Sequence, residues 1–132
     1  MAYMDYSLKA LQYLNEQTDQ EMYYMMHANI GAIYTLRHEY PMALSYLNNA
    51  ITHQKQLGLT TYLITSYLNT AELYSKINAL DSANYFARQA EELAKENQNI
   101  LLQSQAIQTK AKLAKIKKNN INWWKKTCKI DD

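Results

Sequence analysis

The segment NIGAIY at residues 29–34 is followed, forty positions along the chain, by NTAELY at residues 69–74. Each copy opens with Asn, has a small residue in third place and closes with Tyr. Further along, small and aromatic residues recur in the same register: Ala43, Tyr46 and Ala50 match Ala83, Phe86 and Ala90. Small side chains allow two helices to approach closely, and aromatic rings fill the space beside them. The repeat therefore predicts two copies of an antiparallel helix pair.

The same register continues beyond both copies. Tyr6 stands forty positions before Tyr46, and Ala111 stands forty positions after Ala71. Short connections indicate that consecutive helices run antiparallel. Six helices are predicted, near residues 2–15, 19–37, 41–56, 60–77, 82–97 and 99–118. Tyrosines at core-like positions should fill the seams between helices; they are Tyr6, Tyr34, Tyr46, Tyr67 and Tyr74.

Three residues are expected to mark helix ends. Pro41 suits the first turn of a helix, where its missing N–H is not needed. Gly58 suits a left-handed stop at a helix C-terminus. Asp81 is predicted to cap the helix that follows it, through its carboxylate.

The composition excludes several classes of protein. Two glycines, one proline and one cysteine among 132 residues are too few for the turns of a β-sandwich, the phosphate loop of a nucleotide-binding fold or a disulfide framework. No apolar run approaches the roughly 18 residues of a membrane span. The first ten residues lack a basic stretch followed by a long apolar one, which predicts a cytoplasmic location.

The order of a small residue, Tyr three positions later, then Ala, an aromatic residue and Ala resembles the tetratricopeptide repeat. The resemblance implies an all-α fold, a right-handed superhelical solenoid of antiparallel helix hairpins. The period of forty exceeds the family's usual value of about 34, and it is similar to long-period variants in bacterial sensor and regulator proteins. We expect a repeat domain over residues 1–118 and a basic, Trp-containing tail at 119–132. Within the domain, complete units are expected near 19–57 and 60–97, and half-units at 2–15 and 99–118.

The resemblance also implies that the first helix of each unit lines a concave groove. Asn29 and Asn69 occupy one slot in successive units, and an amide can both donate to and accept from a peptide backbone. The alternative is that each amide bonds a neighbouring helix or a loop carbonyl. The groove would change from apolar to basic along its length, which suits a peptide with one apolar and one acidic end. Projected from the register, the candidate groove residues are Met25, Asn29, Ala32, Leu36, Thr65, Leu68, Asn69, Glu72, Lys76, Gln108 and Lys112.

No pattern of residues indicates catalysis or metal binding. His27, His38 and His53 are never three or four positions apart, so they do not form a helical zinc motif. Cys128 lies in the polar tail, whereas a nucleophile needs a fixed site. The sequence thus predicts no enzyme, no metal and no cofactor. It predicts a protein- or peptide-binding scaffold or sensor; the alternative is the sensor portion of a bacterial transcriptional or signalling regulator.

Charge is distributed unevenly along the chain. Residues 1–109 carry six Lys or Arg and ten Asp or Glu, whereas residues 110–132 carry eight Lys and two Asp. The basic end has three interpretations: contact with nucleic-acid phosphates, contact with a membrane surface through Lys and Trp, or a solvated helix end followed by a disordered segment. The scarcity of Arg argues against nucleic-acid recognition. Stacked repeats leave apolar ends, so a homodimer through the terminal helices is also predicted.

Overall fold

The computed structural model describes residues 2–128, with side chains from residue 4 onward. These residues form six α-helices and no strand, which confirms the predicted all-α fold. The predicted boundaries agree to within two residues, except at the C-terminal end of the last helix. The helices are α1 (Ala2–Tyr13), α2 (Gln20–Leu36), α3 (Tyr40–Leu57), α4 (Thr60–Lys76), α5 (Leu80–Glu96) and α6 (Ile100–Cys128).

The backbone at the helix ends explains where the chain turns. Pro41 lies in the first turn of α3, and Gly58 ends that helix with a φ of +69°, so both predictions are confirmed. His38 and Asn78 have φ values of 60° and 61° at the turns that follow α2 and α4. His and Asn adopt this left-handed conformation more readily than most residues.

The predicted cap at Asp81 is wrong. Helix α5 begins at Leu80 after an N-cap at Ala79, and no side chain caps it. Asp81 therefore lies inside the first turn. Its carboxylate there still favours the helix, because it faces the positive end of the helix dipole.

The helices form two layers. Helices α2, α4 and α6 pack side by side, while α3 and α5 each pack against the first-layer helices on either side of them. Within the described chain, α3 and α5 do not contact each other, and α1 contacts α2 alone. This arrangement places α2, α4 and α6 on one continuous face, which is the layer where a groove is expected.

Packing within each hairpin depends on a pair of residues whose sizes compensate. On α2, Gly31 faces Leu47 of α3, and a Cβ added to Gly31 would lie 2.6 Å from Leu47 Cγ. The equivalent pair in the second hairpin is Ala71 and Ala87, which share one buried cluster. A larger residue on the first helix is thus matched by a smaller one on the second. The two side chains together fill one slot at close-packed density.

Aromatic rings fill the space beside these slots. Tyr34 and Tyr46 stack with their ring centroids 5.6 Å apart, and Tyr74 and Phe86 stack at 5.7 Å. Tyr6 occupies the register position of Tyr46 and Phe86, but it is 71% exposed. The predicted core location is therefore wrong for Tyr6, because no helix within residues 2–128 covers that face of α1.

A buried polar contact joins the first hairpin to the second. Gln54 of α3 donates from Nε2 to the Tyr24 carbonyl of α2 at 3.3 Å, and it accepts from Ser66 Oγ of α4 at 2.6 Å. Gln54 and Ser66 are completely buried. The equivalent of Gln54 in the second hairpin is Ala94, so the next junction is apolar. Since buried polar groups must be paired, this contact fixes the register of three helices.

Helix α6 continues well past its predicted end at residue 118 and reaches Cys128. Lys118 stands at the register position of His38 and Asn78, where α2 and α4 turn with positive φ. Beyond it, Asn120 Nδ2 donates to Asn78 Oδ1 at 3.0 Å. One interpretation of the basic end was a disordered segment after the helix. That segment is helical up to Cys128. Residues 129–132 lie outside the described part.

Candidate functional site

A depression of about 320 Å³ lies between α4 and α6, on the layer of first helices. Its floor includes Ala71 and Leu113, which are almost completely buried. Because α4 and α6 are neighbours in one layer, residues one turn apart on each helix face the space between them. The lining residues are Ala71, Glu72, Ser75, Lys76, Thr109, Lys112, Leu113 and Ile116.

Three of the predicted groove residues meet at this depression: Glu72, Lys76 and Lys112. Lys76 Nζ lies 3.6 Å from Glu72 Oε1, and both side chains are 44% exposed. An exposed pair of this kind contributes little stability, so either group can exchange its partner for a ligand. The depression thus combines an apolar floor with a charged rim.

The rim is basic on the α6 side. Helix α6 contains seven lysines and no acidic residue. Lys110 is paired with Glu91 of α5, with Nζ 2.6 Å from Oε2. Lys112 points instead into the depression, where Glu72 is the acidic residue on the rim. The field at this rim therefore favours an anionic ligand group.

The paired asparagines lie on the same layer. Asn29 is exposed on α2, and Asn69 is half-buried on α4. Neither side-chain amide forms a hydrogen bond within residues 2–128. An amide on a rigid helix with unused donors and acceptors can bind a peptide backbone.

The other predicted residues on α4 and α6, and those at the end of α2, lie outside the depression. Thr65 and Gln108 are exposed, Ala32 is half-buried, and Leu36 is 68% exposed at the end of α2. Leu68 packs against a buried cluster that joins α4, α5 and α6. Its contacts are therefore with the core, and it offers little surface to a ligand.

Met25 lines a second depression of about 360 Å³, between the start of α2 and Tyr62 of α4. Interaction with the Glu21 carboxylate raises the pKa of the Tyr62 phenol. The rest of this wall comes from residues 18–22. Residues 20–22 lie in the first turn of α2, and the connection before them, residues 14–19, is longer than the two-residue connection before α4, so the repeat register does not give its shape.

The floor of the first depression was also missed from the sequence. Leu113 stands forty positions after Leu73, which is 1% exposed, so the register did contain a signal for burial at that position. Thr109 lies one turn before Leu113 on the same helix and stands forty positions after Asn69. The exposed rim was easier to predict than the floor, since charged residues on a helix face stand out in a sequence.

A family model described as Tetratricopeptide repeat matches residues 21–96, from the first turn of α2 to the end of α5. The chain belongs to the tetratricopeptide repeat family. The match covers both complete hairpins, and therefore the two asparagines and the α4 wall of the depression. Comparisons with curated proteins and with solved structures found no match. The long-period variant stays a prediction.

Tetratricopeptide repeats are protein-interaction modules that typically carry no catalytic activity. In the described part of this repeat protein, no group of three or more His, Cys, Asp or Glu residues could hold a metal ion. None of its helices between residues 2 and 128 has the length and apolar character needed to cross a bilayer. The Cys128 thiol is exposed and unpaired by any disulfide.

Proposed function

We propose that this tetratricopeptide repeat protein is a non-enzymatic module that binds a segment of another protein along α2, α4 and α6. The observation that carries the proposal is the depression between α4 and α6, with its buried apolar floor and its rim of Glu72, Lys76 and Lys112. The depression brings apolar side chains and convergent polar groups together, as binding sites do. Its walls are packed helices, so binding requires little ordering of the protein.

The ligand we propose is an extended peptide with one apolar and one acidic end. Its acidic end lies near Lys112, because α6 supplies only positive charge. Its apolar end lies towards α2, where Met25 and Ala32 are half-buried. Asn29 and Asn69 bind the peptide backbone between the two ends, which makes the contact largely independent of side-chain identity.

The test is fluorescence anisotropy with a labelled synthetic peptide that carries leucines at one end and glutamates at the other. A second peptide with lysines in place of the glutamates is the matched control. We expect the acidic peptide to bind at least roughly tenfold more tightly, and its affinity to fall as salt screens the lysines. Equal binding of the two peptides would contradict the proposed polarity.

Asn69→Ala should weaken binding of the acidic peptide about five- to tenfold, since one hydrogen bond to the backbone is lost. Asn48→Ala is the control, because Asn48 is exposed on the outer helix α3. Both variants should keep the far-UV circular dichroism spectrum of the parent. If Asn69→Ala binds as tightly as the parent, the asparagine slot does not hold the peptide.

The same groove could belong to a scaffold or to the sensor portion of a bacterial regulator. The response of α6 to a bound peptide would distinguish these two functions. Helix α6 forms one wall of the depression and also carries Trp123 and Trp124, which are the two tryptophans of the chain. A sensor transmits binding to its C-terminal end, so the tryptophan emission should shift when the acidic peptide is added. A scaffold would leave the emission unchanged.

The exposed residues at the end of α6 support a second function, which is contact with an anionic membrane surface. Ile121, Trp123 and Trp124 are 46%, 63% and 54% exposed, with Lys125 and Lys126 beside them in the last turn of the helix. Exposed Trp and Lys on one helix suit the interface of a bilayer. Vesicles containing phosphatidylserine should shift the tryptophan emission to the blue, while phosphatidylcholine vesicles should not. No shift with either would overturn this function.

A further inference from the structure

Helix α6 presents a row of apolar and small residues that nothing within residues 2–128 covers. Ile107 is 49% exposed, and Ala111 and Ala114 are also exposed. Spacings of four and three place them on one face of the helix. Apolar residues continue towards both ends of the helix, with Ile100 80% exposed and Ile121 46% exposed.

The equivalent positions in the two complete hairpins show what normally packs on this face. Forty positions earlier stand Tyr67, Ala71 and Tyr74 of α4, and α5 covers them: Tyr67 and Ala71 are buried, and Tyr74 stacks on Phe86. The same face of α2 is covered by α3, where Gly31 meets Leu47. The α6 face is therefore the surface on which a second helix packs in both complete hairpins.

Helix α1 has the register of those second helices. Tyr6 corresponds to Tyr46 and Phe86, the residues that stack on α2 and α4. Ser7 corresponds to Leu47 and Ala87. In α1 the equivalent face is open, since Tyr6 is 71% exposed and Ser7 is half-buried.

The sizes of the residues on these two open faces match. Gly31 is paired with Leu47 in the first hairpin, and Ala71 with Ala87 in the second. Ala111 of α6 and Ser7 of α1 have almost the sizes of the second pair, so they fit the same slot. Tyr6 would then lie over Ile107 and Ala114, as Phe86 lies over Tyr67 and Tyr74 at centroid distances of 5.9 and 5.7 Å.

The charges of the two faces are also complementary. Helix α6 carries seven lysines and no acidic residue. The first turn of α1 contains Asp5, and Lys9 follows one turn later. Antiparallel packing in the hairpin register brings the first turn of α1 to the half of α6 that holds Lys115 and Lys118. Opposite charges on the two surfaces favour this pairing and its orientation.

We propose that α1 of a second copy of this chain packs on the Ile107, Ala111 and Ala114 face of α6 and completes a third hairpin. The two surfaces are different, so the contact is head-to-tail and can repeat from copy to copy. Each added copy places its own α2 beside α6, as α4 lies beside α2 within one chain. The layer that forms the groove is thereby continued across the junction.

The test is sedimentation velocity on the full chain under reducing conditions, which prevent cross-linking through Cys128. The mean mass of the parent should rise beyond a dimer as its concentration increases, and the rise should weaken with salt. Ala111→Arg should weaken self-association by roughly tenfold or more, because a long charged side chain fills the slot. Its circular dichroism and melting temperature should not change, since Ala111 is exposed in the single chain. Asn48→Arg is the matched control, because it adds the same charge at an exposed position on the outer helix α3, and it should associate like the parent.

A mixing experiment tests the head-to-tail geometry. Ala111→Arg keeps an intact α1 face, and Tyr6→Arg keeps an intact α6 face. Each variant alone should be monomeric, and an equal mixture should form a dimer and nothing larger. A monomeric parent at every concentration, normal association of Ala111→Arg, or a mixture that stays monomeric would each overturn the proposal. No peptide is present in these measurements, so their outcome is independent of the peptide-binding groove.

Discussion

Replacing Gly31 with Ala tests the slot that this residue shares with Leu47. The added methyl carbon would lie 2.6 Å from Leu47 Cγ, 3.1 Å from Leu47 Cδ2 and 3.2 Å from the Ala43 carbonyl oxygen. The optimal separation of two non-bonded carbon atoms is about 3.5–4.0 Å, so Leu47 would have to move by about 1 Å. Leu47 and Ala43 are completely buried, so this movement would have to take place within the packed core.

Two opposing effects set the magnitude. Alanine in a helix interior is more favourable than glycine by about 1 kcal/mol. Inserting a methyl group into a filled core costs about 1–3 kcal/mol, and the 2.6 Å approach to Leu47 places this site in the upper part of that range. We therefore expect Gly31→Ala to lower the free energy of unfolding by about 1–2 kcal/mol.

The assay is urea unfolding followed by circular dichroism, in a double-mutant cycle with Leu47→Ala. The double variant recreates the Ala71 and Ala87 pairing of the second hairpin. In the Leu47→Ala background the clash is absent, so Gly31→Ala should raise the free energy of unfolding by about 1 kcal/mol. The sign reversal corresponds to a coupling energy of about 2–3 kcal/mol. A Gly31→Ala variant that is stabilised in both backgrounds, or destabilised equally in both, would refute the compensating slot.

Two further predictions concern buried polar groups. Gln54→Leu should lower the free energy of unfolding by about 1–3 kcal/mol, because the buried Ser66 hydroxyl loses its acceptor; adding Ser66→Ala should restore most of that loss in the same urea assay. Burial, and secondarily the nearby Tyr85, raises the pKa of Tyr67, so the unfolded chain loses that proton first as the pH rises. The free energy of unfolding should therefore fall as the pH rises past the ordinary tyrosine pKa of about 10. The melting temperature of the Tyr67→Phe variant should fall less than that of the parent over the same pH series.

The sequence predicts the fold well because the information is local and repeated. The slot that contains Gly31 or Ala71 is formed by two adjacent helices, and so are the stacked aromatic pairs. Because the sequence repeats, the same pattern of residues is seen in both hairpins. The end of α6 was not predicted, because the register implied a turn at Lys118, the position at which His38 and Asn78 turn after α2 and α4. Asp81 was misplaced because a carboxylate is favourable both at the N-cap and within the first turn.

The candidate site was only partly predictable, for a different reason. Glu72, Lys76 and Lys112 are one turn apart on neighbouring first helices, so helical periodicity was enough to bring them together. Leu68 lies on the same helix, but its direction depends on how α4 tilts against α5 and α6, and periodicity does not give that tilt. The second depression lies beside the connection into α2, residues 14–19, which is longer than its counterpart before α4, residues 58 and 59, so the register does not give its shape.

The uninterrupted course of α6 through Lys118 has a mechanical consequence for the C-terminal end of the described chain. Ten further residues lead to Cys128, and at a helical rise of about 1.5 Å per residue they extend about 15 Å. This segment acts as a rod with a fixed rotational phase, in contrast to a flexible tether. The Cα–Cβ bond of Cys128 therefore leaves the helix in one direction relative to the repeats. Each residue inserted after Asn120 would turn it by about 100° around the helix axis.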